Sequence, residues 1–202
     1  MNSKALNKYR TKAKDSFKTK KNLFVFYWAI NDKGKFTYTD FENFQITNEL
    51  VLRYAGEYWQ QEYSYDKING KTIRKIQESI IKLEDEHKEL LQKLENEYIK
   101  NFSKLFSESD FEELIKKKKC YYCGITIDKL ERLADKKKLF NKTNRGWTLE
   151  IDRIKPNFEY SNDNCVMACY WCNNAKTDEF DDEEFKAIGQ EIAKIWEKRL
   201  EE

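Results

Sequence analysis

Cys120-Tyr-Tyr-Cys123-Gly124 opens, and Cys169-Tyr-Trp-Cys172-Asn173 closes, the stretch on which the reading of this sequence turns. Each Cys-x-x-Cys turn directs two sulfurs to one side. Two such turns therefore supply the four corners of a closed thiolate site of the kind that binds structural zinc. Disulfides are the alternative. The N-terminus lacks an apolar signal core, so the expected setting is the reducing cytoplasm, which disfavours them. The fifth cysteine, Cys165, reads as a small core residue. A four-cysteine site is structural and names no reaction, so zinc-ribbon binding modules remain in play.

Forty-five residues separate the two pairs. They include Trp147-Thr-Leu-Glu-Ile-Asp152-Arg153-Ile-Lys-Pro156, then Tyr160, then Asn164-Cys-Val-Met-Ala. Alternation around Leu149 and Ile151 predicts a strand, Pro156 to Asp163 a loop, and Asn164 to Ala168 a returning strand. Cys172-Asn173 then begins a short helix. Over about residues 118–180 this arrangement resembles the HNH, or ββα-metal, nucleases. Their pattern is Asp-His, a hairpin, an Asn before the second cysteine pair, then Cys-x-x-Cys-Asn or Cys-x-x-Cys-His and a Lys. Here Arg153 stands where the family has its general-base histidine, and arginine stays protonated at any working pH. A variant branch of the family has Asp-Arg at this point and a tyrosine eight residues after the aspartate. Tyr160 follows Asp152 by eight, and Asn173 falls at the metal-ligand position.

The resemblance implies metal-dependent hydrolysis of phosphodiester bonds, in double-stranded DNA, in a setting of restriction, phage or anti-phage defence. Asp152 and Asn173 would be hard oxygen ligands for Mg²⁺ or Mn²⁺, which polarises the scissile phosphate and stabilises the leaving 3′ oxygen. Arg153 would hold a non-bridging oxygen, and Tyr160 would orient or deprotonate the attacking water. Asn164 joins the set either as a catalytic group or as a buttress of the hairpin. Glu150 shares the strand face of Asp152 and is a spare ligand. Lys176 either contacts phosphate or is solvated. Taken alone, Asp152 reads as a strand-end turn residue, and Tyr160 is one of twelve tyrosines. The alternative from a different class is a zinc-ribbon nucleic-acid-binding protein whose nuclease centre has decayed, with Arg153 as its supporting feature.

The flanking sequence is helical and aromatic. The chain has 202 residues, 37% of them charged, with a mean hydropathy of −0.92. It nevertheless carries 13 Phe, 12 Tyr and 5 Trp, so a packed core is expected rather than disorder. One histidine excludes histidine-based catalysis and His-rich metal sites as general solutions. The longest apolar run, Leu23 to Ile30, is eight residues, too short to span a bilayer. One proline and six glycines disfavour long flexible linkers.

Four segments follow. Residues 1–22 are a basic arm with eight lysines and arginines against one acid, suited to a polyanion or simply solvated. Residues 23–70 form an aromatic-rich unit: Leu23–Ile30 predicts a strand, Asn31 to Lys35 a turn, Phe36 to Tyr38 the return strand, and Thr47 or Asn48 the cap of a helix. Its rings either stack on bases or form core. Residues 71–107 hold a continuous amphipathic helix, 71–106, with Ile73, Ile76, Ile80, Leu83, His87, Leu90 and Leu94 in heptad spacing. Its stripe needs cover, from a second subunit, a partner protein, or a C-terminal helix carrying Phe185, Ile188, Ile192, Ile195 and Trp196. His87 reads as a structural seam residue. Residues 108–202 are the zinc-stabilised module, and the fold class is α+β.

Overall fold

Leu23–Ile30, expected to be a strand, is the last two turns of a long helix. A computed structural model describes residues 1–59, 66–139 and 146–202; residues 60–65, inside the aromatic-rich segment, and 140–145 lie outside the described residues. The chain divides into two compact units. One is Leu6–Lys104 with Asn157–Glu159; the other is Met1–Ala5 with Leu105–Pro156 and Tyr160–Glu202. Among the described residues the fold is α+β, mostly helical with two small sheets. No helix among them is long and apolar enough to cross a membrane.

The first unit is built on α1 (Ser3–Ile30). Leu23, Phe24, Val25, Phe26, Trp28, Ala29 and Ile30 are all buried, so this run is apolar on every side because every side is covered. Periodicity cannot separate such a helix from a buried strand, which explains the failed strand assignment. The expected hairpin turn is the helix stop. Asp32 adopts φ +49°, and the Lys33 amide donates back to the Trp28 carbonyl at 3.3 Å, as in a Schellman cap. Lys71 reinforces it, donating to the Ala29 carbonyl and pairing with Asp32, both at 2.6 Å. The expected return strand does not form: Phe36 and Thr37 lead into a helix that begins at Tyr38, with Thr37 extended as its cap. Thr37 and Asp40 form a reciprocal capping box that starts α2 (Tyr38–Glu42). Thr47 caps α3 (Asn48–Val51), which runs on as a π-helical segment, Leu52–Tyr58.

A hairpin does occur in this unit, but later. Lys67–Ile68 (β1) pairs antiparallel with Lys71–Thr72 (β2) around Asn69-Gly70, both with positive φ, the backbone that a two-residue I′ turn requires. Thr72 then caps α4 (Ile73–Glu86). The expected continuous helix breaks at His87, whose φ of −114° and ψ of 17° separate α4 from α5 (Lys88–Asn101). The imidazole Nδ1 meets the Leu83 carbonyl at 2.9 Å, Nε2 accepts from the Phe36 amide at 3.2 Å, and the ring stacks on Phe36 at 3.9 Å. With one nitrogen on its own helix and the other on the distant Phe36 amide, His87 sits where the helix is interrupted. Leu91 is buried beyond the break, and Leu90 packs half-buried against the same cluster.

The stripe is covered inside this unit. Ile73, Ile76, Leu83, Leu91 and Leu94 join Phe17, Leu23, Phe24, Phe26, Phe36 and Phe41 in one hydrophobic cluster. The aromatic rings of residues 23–44 are thus mainly core. Phe24 is their hub, with Trp28, Phe36, Phe41 and Phe44 at ring-centroid distances of 4.4, 5.0, 5.1 and 5.2 Å. Phe24→Ala is expected to lower unfolding free energy by about 3–5 kcal/mol in urea titration. A loss below about 1 kcal/mol would show that the hub is not packed as described.

The second unit holds α6 (Glu108–Lys116), α7 (Ile127–Asp135), β3 (Glu150–Arg153), β4 (Cys165–Ala168), α8 (Tyr170–Lys176) and α9 (Asp182–Glu201). β3 pairs antiparallel with β4 in the register Glu150–Ala168, Ile151–Met167, Asp152–Val166 and Arg153–Cys165. α8 packs on β3, α6 on β4, and α9 against α7 and α8. The apolar stripe of α9 therefore belongs to this unit, where Phe185 and Trp196 are buried.

Candidate metal centre and the hairpin beside it

The sulfurs of Cys120, Cys123, Cys169 and Cys172 all lie within 4.8 Å of one another, and all four residues are buried. The first pair sits on a tight turn. The Gly124 amide donates to the Cys120 carbonyl at 3.0 Å, the Cys120 amide to the Ile125 carbonyl at 2.9 Å, and Lys119 bridges Thr126. Gly124 has φ +70°, which a side chain would strain. The second pair is set by α8: Cys169 caps the helix, its sulfur accepting from the Cys172 amide at 3.4 Å, so both thiols end on one turn.

Four thiolates about 2.3 Å from a tetrahedral zinc stand about 3.8 Å apart. Cys123 and Cys169 have their sulfurs 3.7 Å apart. The cluster can hold a metal ion such as zinc. The crowded thiols act on one another in opposite directions: hydrogen bonds from its neighbours hold the Cys120 thiol below the ordinary thiol range, and the same contacts push those of Cys169 and Cys172 above it. Cys165 is buried in β4, outside this group.

The two residues inside the first Cys-x-x-Cys turn fasten it to the hairpin. The Tyr121 amide donates to the Met167 carbonyl of β4 at 2.8 Å, and the Tyr122 hydroxyl donates to Asp152 Oδ2 of β3 at 2.6 Å. The Tyr122 ring meets Phe185 of α9 edge-on at 5.1 Å. Where α9 crosses this turn stands Gly189. A Cβ there would lie 2.9 Å from the Tyr122 carbonyl oxygen and 3.0 Å from the Tyr122 Cβ. Gly189→Ala must therefore push the turn or the helix aside. It is expected to cost about 1–3 kcal/mol in thermal unfolding, and an unchanged or raised Tm would refute the contact.

One face of β3 carries Glu150 and Asp152, as period-two alternation requires. α8 covers it with residues one turn apart. Asn173 Nδ2 donates to Glu150 Oε2 at 2.7 Å. Lys176, with no exposed surface, places Nζ 3.6 Å from Asp152 Oδ2 and donates to the Arg153 carbonyl at 2.9 Å. The expectation of a solvated or phosphate-touching Lys176 is thus corrected: it is a buried counter-charge to Asp152. Burial pushes the Asp152 carboxyl up from its usual range, while the Tyr122 hydroxyl and the Lys176 ammonium oppose that rise.

Arg153 and Tyr160 are brought together. The guanidinium carbon lies 4.9 Å from the centre of the Tyr160 ring, within cation–π range, and the guanidinium is 3.8 Å from Asp178. Asn164 braces the loop between them. Its Oδ1 accepts from the Lys155 amide at 2.7 Å, and its Nδ2 donates to the Lys155 carbonyl at 3.1 Å. Of its two readings, the contacts are those of a buttress.

Mg²⁺ and Mn²⁺ are held by one or two carboxylates and complete their shells with water and phosphate. Asp152 and Glu150 are carboxylates of that chemistry, but Asp152 Oδ2 already meets the Tyr122 hydroxyl and the Lys176 ammonium, and Glu150 Oε2 accepts from Asn173. Among the described residues the cysteines are the only group of three or more His, Cys, Asp or Glu side chains placed to share a metal. Sequence reasoning missed Tyr122 and gave Lys176 a different role; both hold Asp152. Nothing in a Cys-x-x-Cys pattern marks its inner tyrosine as a hydrogen-bond donor to a distant strand. Comparisons with models of protein families, with curated proteins and with solved structures find no match.

Proposed function

We propose that this chain is a metal-dependent endonuclease that hydrolyses phosphodiester bonds in double-stranded DNA, with structural zinc on Cys120, Cys123, Cys169 and Cys172. Asp152 and Asn173 would hold Mg²⁺ or Mn²⁺, with Glu150 beside them. When bound, that ion supplies Lewis-acid polarisation of the scissile phosphate and stabilises the leaving 3′ oxygen. Arg153 neutralises charge on a non-bridging oxygen, and Tyr160 orients or deprotonates the water that attacks phosphorus. Asn164 holds the intervening loop. The observation that carries the reading is the contact of Arg153 with Tyr160 at 4.9 Å, one residue beyond Asp152, because it joins the two side chains that replace a histidine base. Restriction, phage biology or anti-phage defence is the setting in which such a module fits.

One centre cuts one strand. A double-strand cut needs two, and the α4–α5 stripe that motivated a homodimer or partner contact is largely taken up within its own unit. A second contact would have to use other surface.

A nucleic-acid-binding protein with a decayed centre is the competing reading. The Lys176–Asp152 pair favours it, since a buried ammonium already answers much of the charge a dication would meet. The two readings separate in one assay. Duplex DNA is bound in EDTA, and Mg²⁺ or Mn²⁺ is then added. Cleavage on addition supports the nuclease; retained binding with no cleavage on duplex or RNA supports the binding protein.

A further inference from the structure

We propose that the outward face of α1 is a docking surface for the phosphate backbone of double-stranded DNA, gripped through Arg10, Lys14 and Lys18. The inference rests on the nucleic-acid partner named above and not on the nuclease chemistry.

Within Leu6–Lys104, the first turns of α1 bury Tyr9, Ala13, Ser16 and Phe17. The exposed positions opposite are Asn7, Arg10, Thr11, Lys14 and Lys18. Three are cationic, two are neutral and polar, and none is acidic or apolar. The one acid of this stretch, Asp15, pairs with Lys12 at 3.3 Å. Lys21 pairs with Glu84 at 2.6 Å, and Lys20 lies over the Phe41 ring at 5.3 Å. Arg10, Lys14 and Lys18 form no ion pair among the described residues.

The same unit shows what a merely solvated helix face looks like. On α4 and α5 every exposed cation has an acid three or four residues away, and three are in ion pairs: Arg74 with Glu78 at 3.1 Å, Lys82 with Glu86 at 3.8 Å, and Lys100 with Glu97 at 2.6 Å, while Lys75, Lys88 and Lys93 form none among the described residues. Such pairs favour the helix and cancel its field. The α1 face forgoes them and accepts self-repulsion along a four-residue row. At about 1.5 Å per residue the row spans about 12 Å, or three to four nucleotide steps along one strand.

Charge alone would also suit an anionic membrane. An interfacial helix, however, needs an apolar face to lay into the bilayer. The apolar face of α1 is committed to the core, and its outward face has no apolar side chain. A rigid row of cations with amide and hydroxyl groups between them fits phosphates. Each phosphate contact releases counterions and contributes about 0.9 to the slope of log affinity against log salt.

The test measures anisotropy of a labelled duplex of about 20 base pairs with the full chain, in EDTA, across about 50–200 mM salt. Wild type is compared with the triple variant Arg10→Gln, Lys14→Gln, Lys18→Gln. A control carries Arg74→Gln, Lys82→Gln and Lys100→Gln, with helicity of all three checked by circular dichroism. The α1 triple is expected to lower the slope by about 2.7, so that its deficit against wild type grows about 40-fold from the highest salt to the lowest. The control should change the slope by less than about 1. An unchanged slope in the α1 triple overturns the proposal, as does absence of duplex binding by wild type at the lowest salt. Loss of binding to phosphatidylserine vesicles with duplex binding intact also overturns it. EDTA removes cutting from this experiment, so binding that depends on the row stands even if no cleavage is ever found.

Discussion

Cys172→Ala is expected to cost the chain its zinc and the fold of the unit that contains it. Cys172 has no exposed surface and sits on the same turn of α8 as Asn173. Structural zinc sites supply apparent free energies of about 10–16 kcal/mol in small domains, while whole domains are stable by only about 5–15 kcal/mol. Removing one of four thiolates therefore removes more than that unit can spare. Bound zinc, measured by mass spectrometry, should fall from about one ion per chain to a small fraction. The thermal transition assigned to this unit should vanish or drop steeply, and a strong chelator should reproduce the effect on wild type. Cys165→Ala, a buried cysteine outside the cluster, should leave zinc content intact. A Cys172→Ala chain that melts like wild type would show that the four sulfurs do not hold the unit together.

Tyr160→Phe is expected to lower the rate of DNA nicking by about 10²–10⁴-fold, the range for losing a group that handles a proton in the transition state. The substitution keeps the aromatic ring under the Arg153 guanidinium and removes only the hydroxyl. Duplex affinity and thermal stability should therefore stay near wild type. A fall in single-turnover nicking with binding preserved locates the effect in the chemical step. Equal loss of binding and nicking would make Tyr160 a support for Arg153 and would remove it from the reaction.

Features of residues 118–180 were legible where spacing carries the physics. Two Cys-x-x-Cys turns converge because four buried thiols in such pairs have few other uses, and the alternation around Ile151 marked β3. Asn164 at the start of the returning strand was readable as a brace because its amide can satisfy both backbone groups of one loop residue. The α1 helix was not legible. A run of branched and aromatic residues buried on all sides has no period to read, and Asn31-Asp-Lys-Gly34 serves a helix end as well as a hairpin. The break at His87 depends on Phe36, fifty-one residues away, and so left no local trace. The same holds for Tyr122 and Lys176, whose grip on Asp152 exists only once the turn, the strand and α8 have packed.

We propose that the hairpin beside the cysteine cluster cuts DNA with Asp152, Arg153, Tyr160 and Asn173. The most direct test is incubation of purified protein with supercoiled plasmid in Mg²⁺ or Mn²⁺, beside an EDTA lane and a Tyr160→Phe lane. Nicked or linear product is expected in the wild-type lane alone. Plasmid that is bound but left intact with either metal, by a protein that carries its zinc, would contradict the proposal.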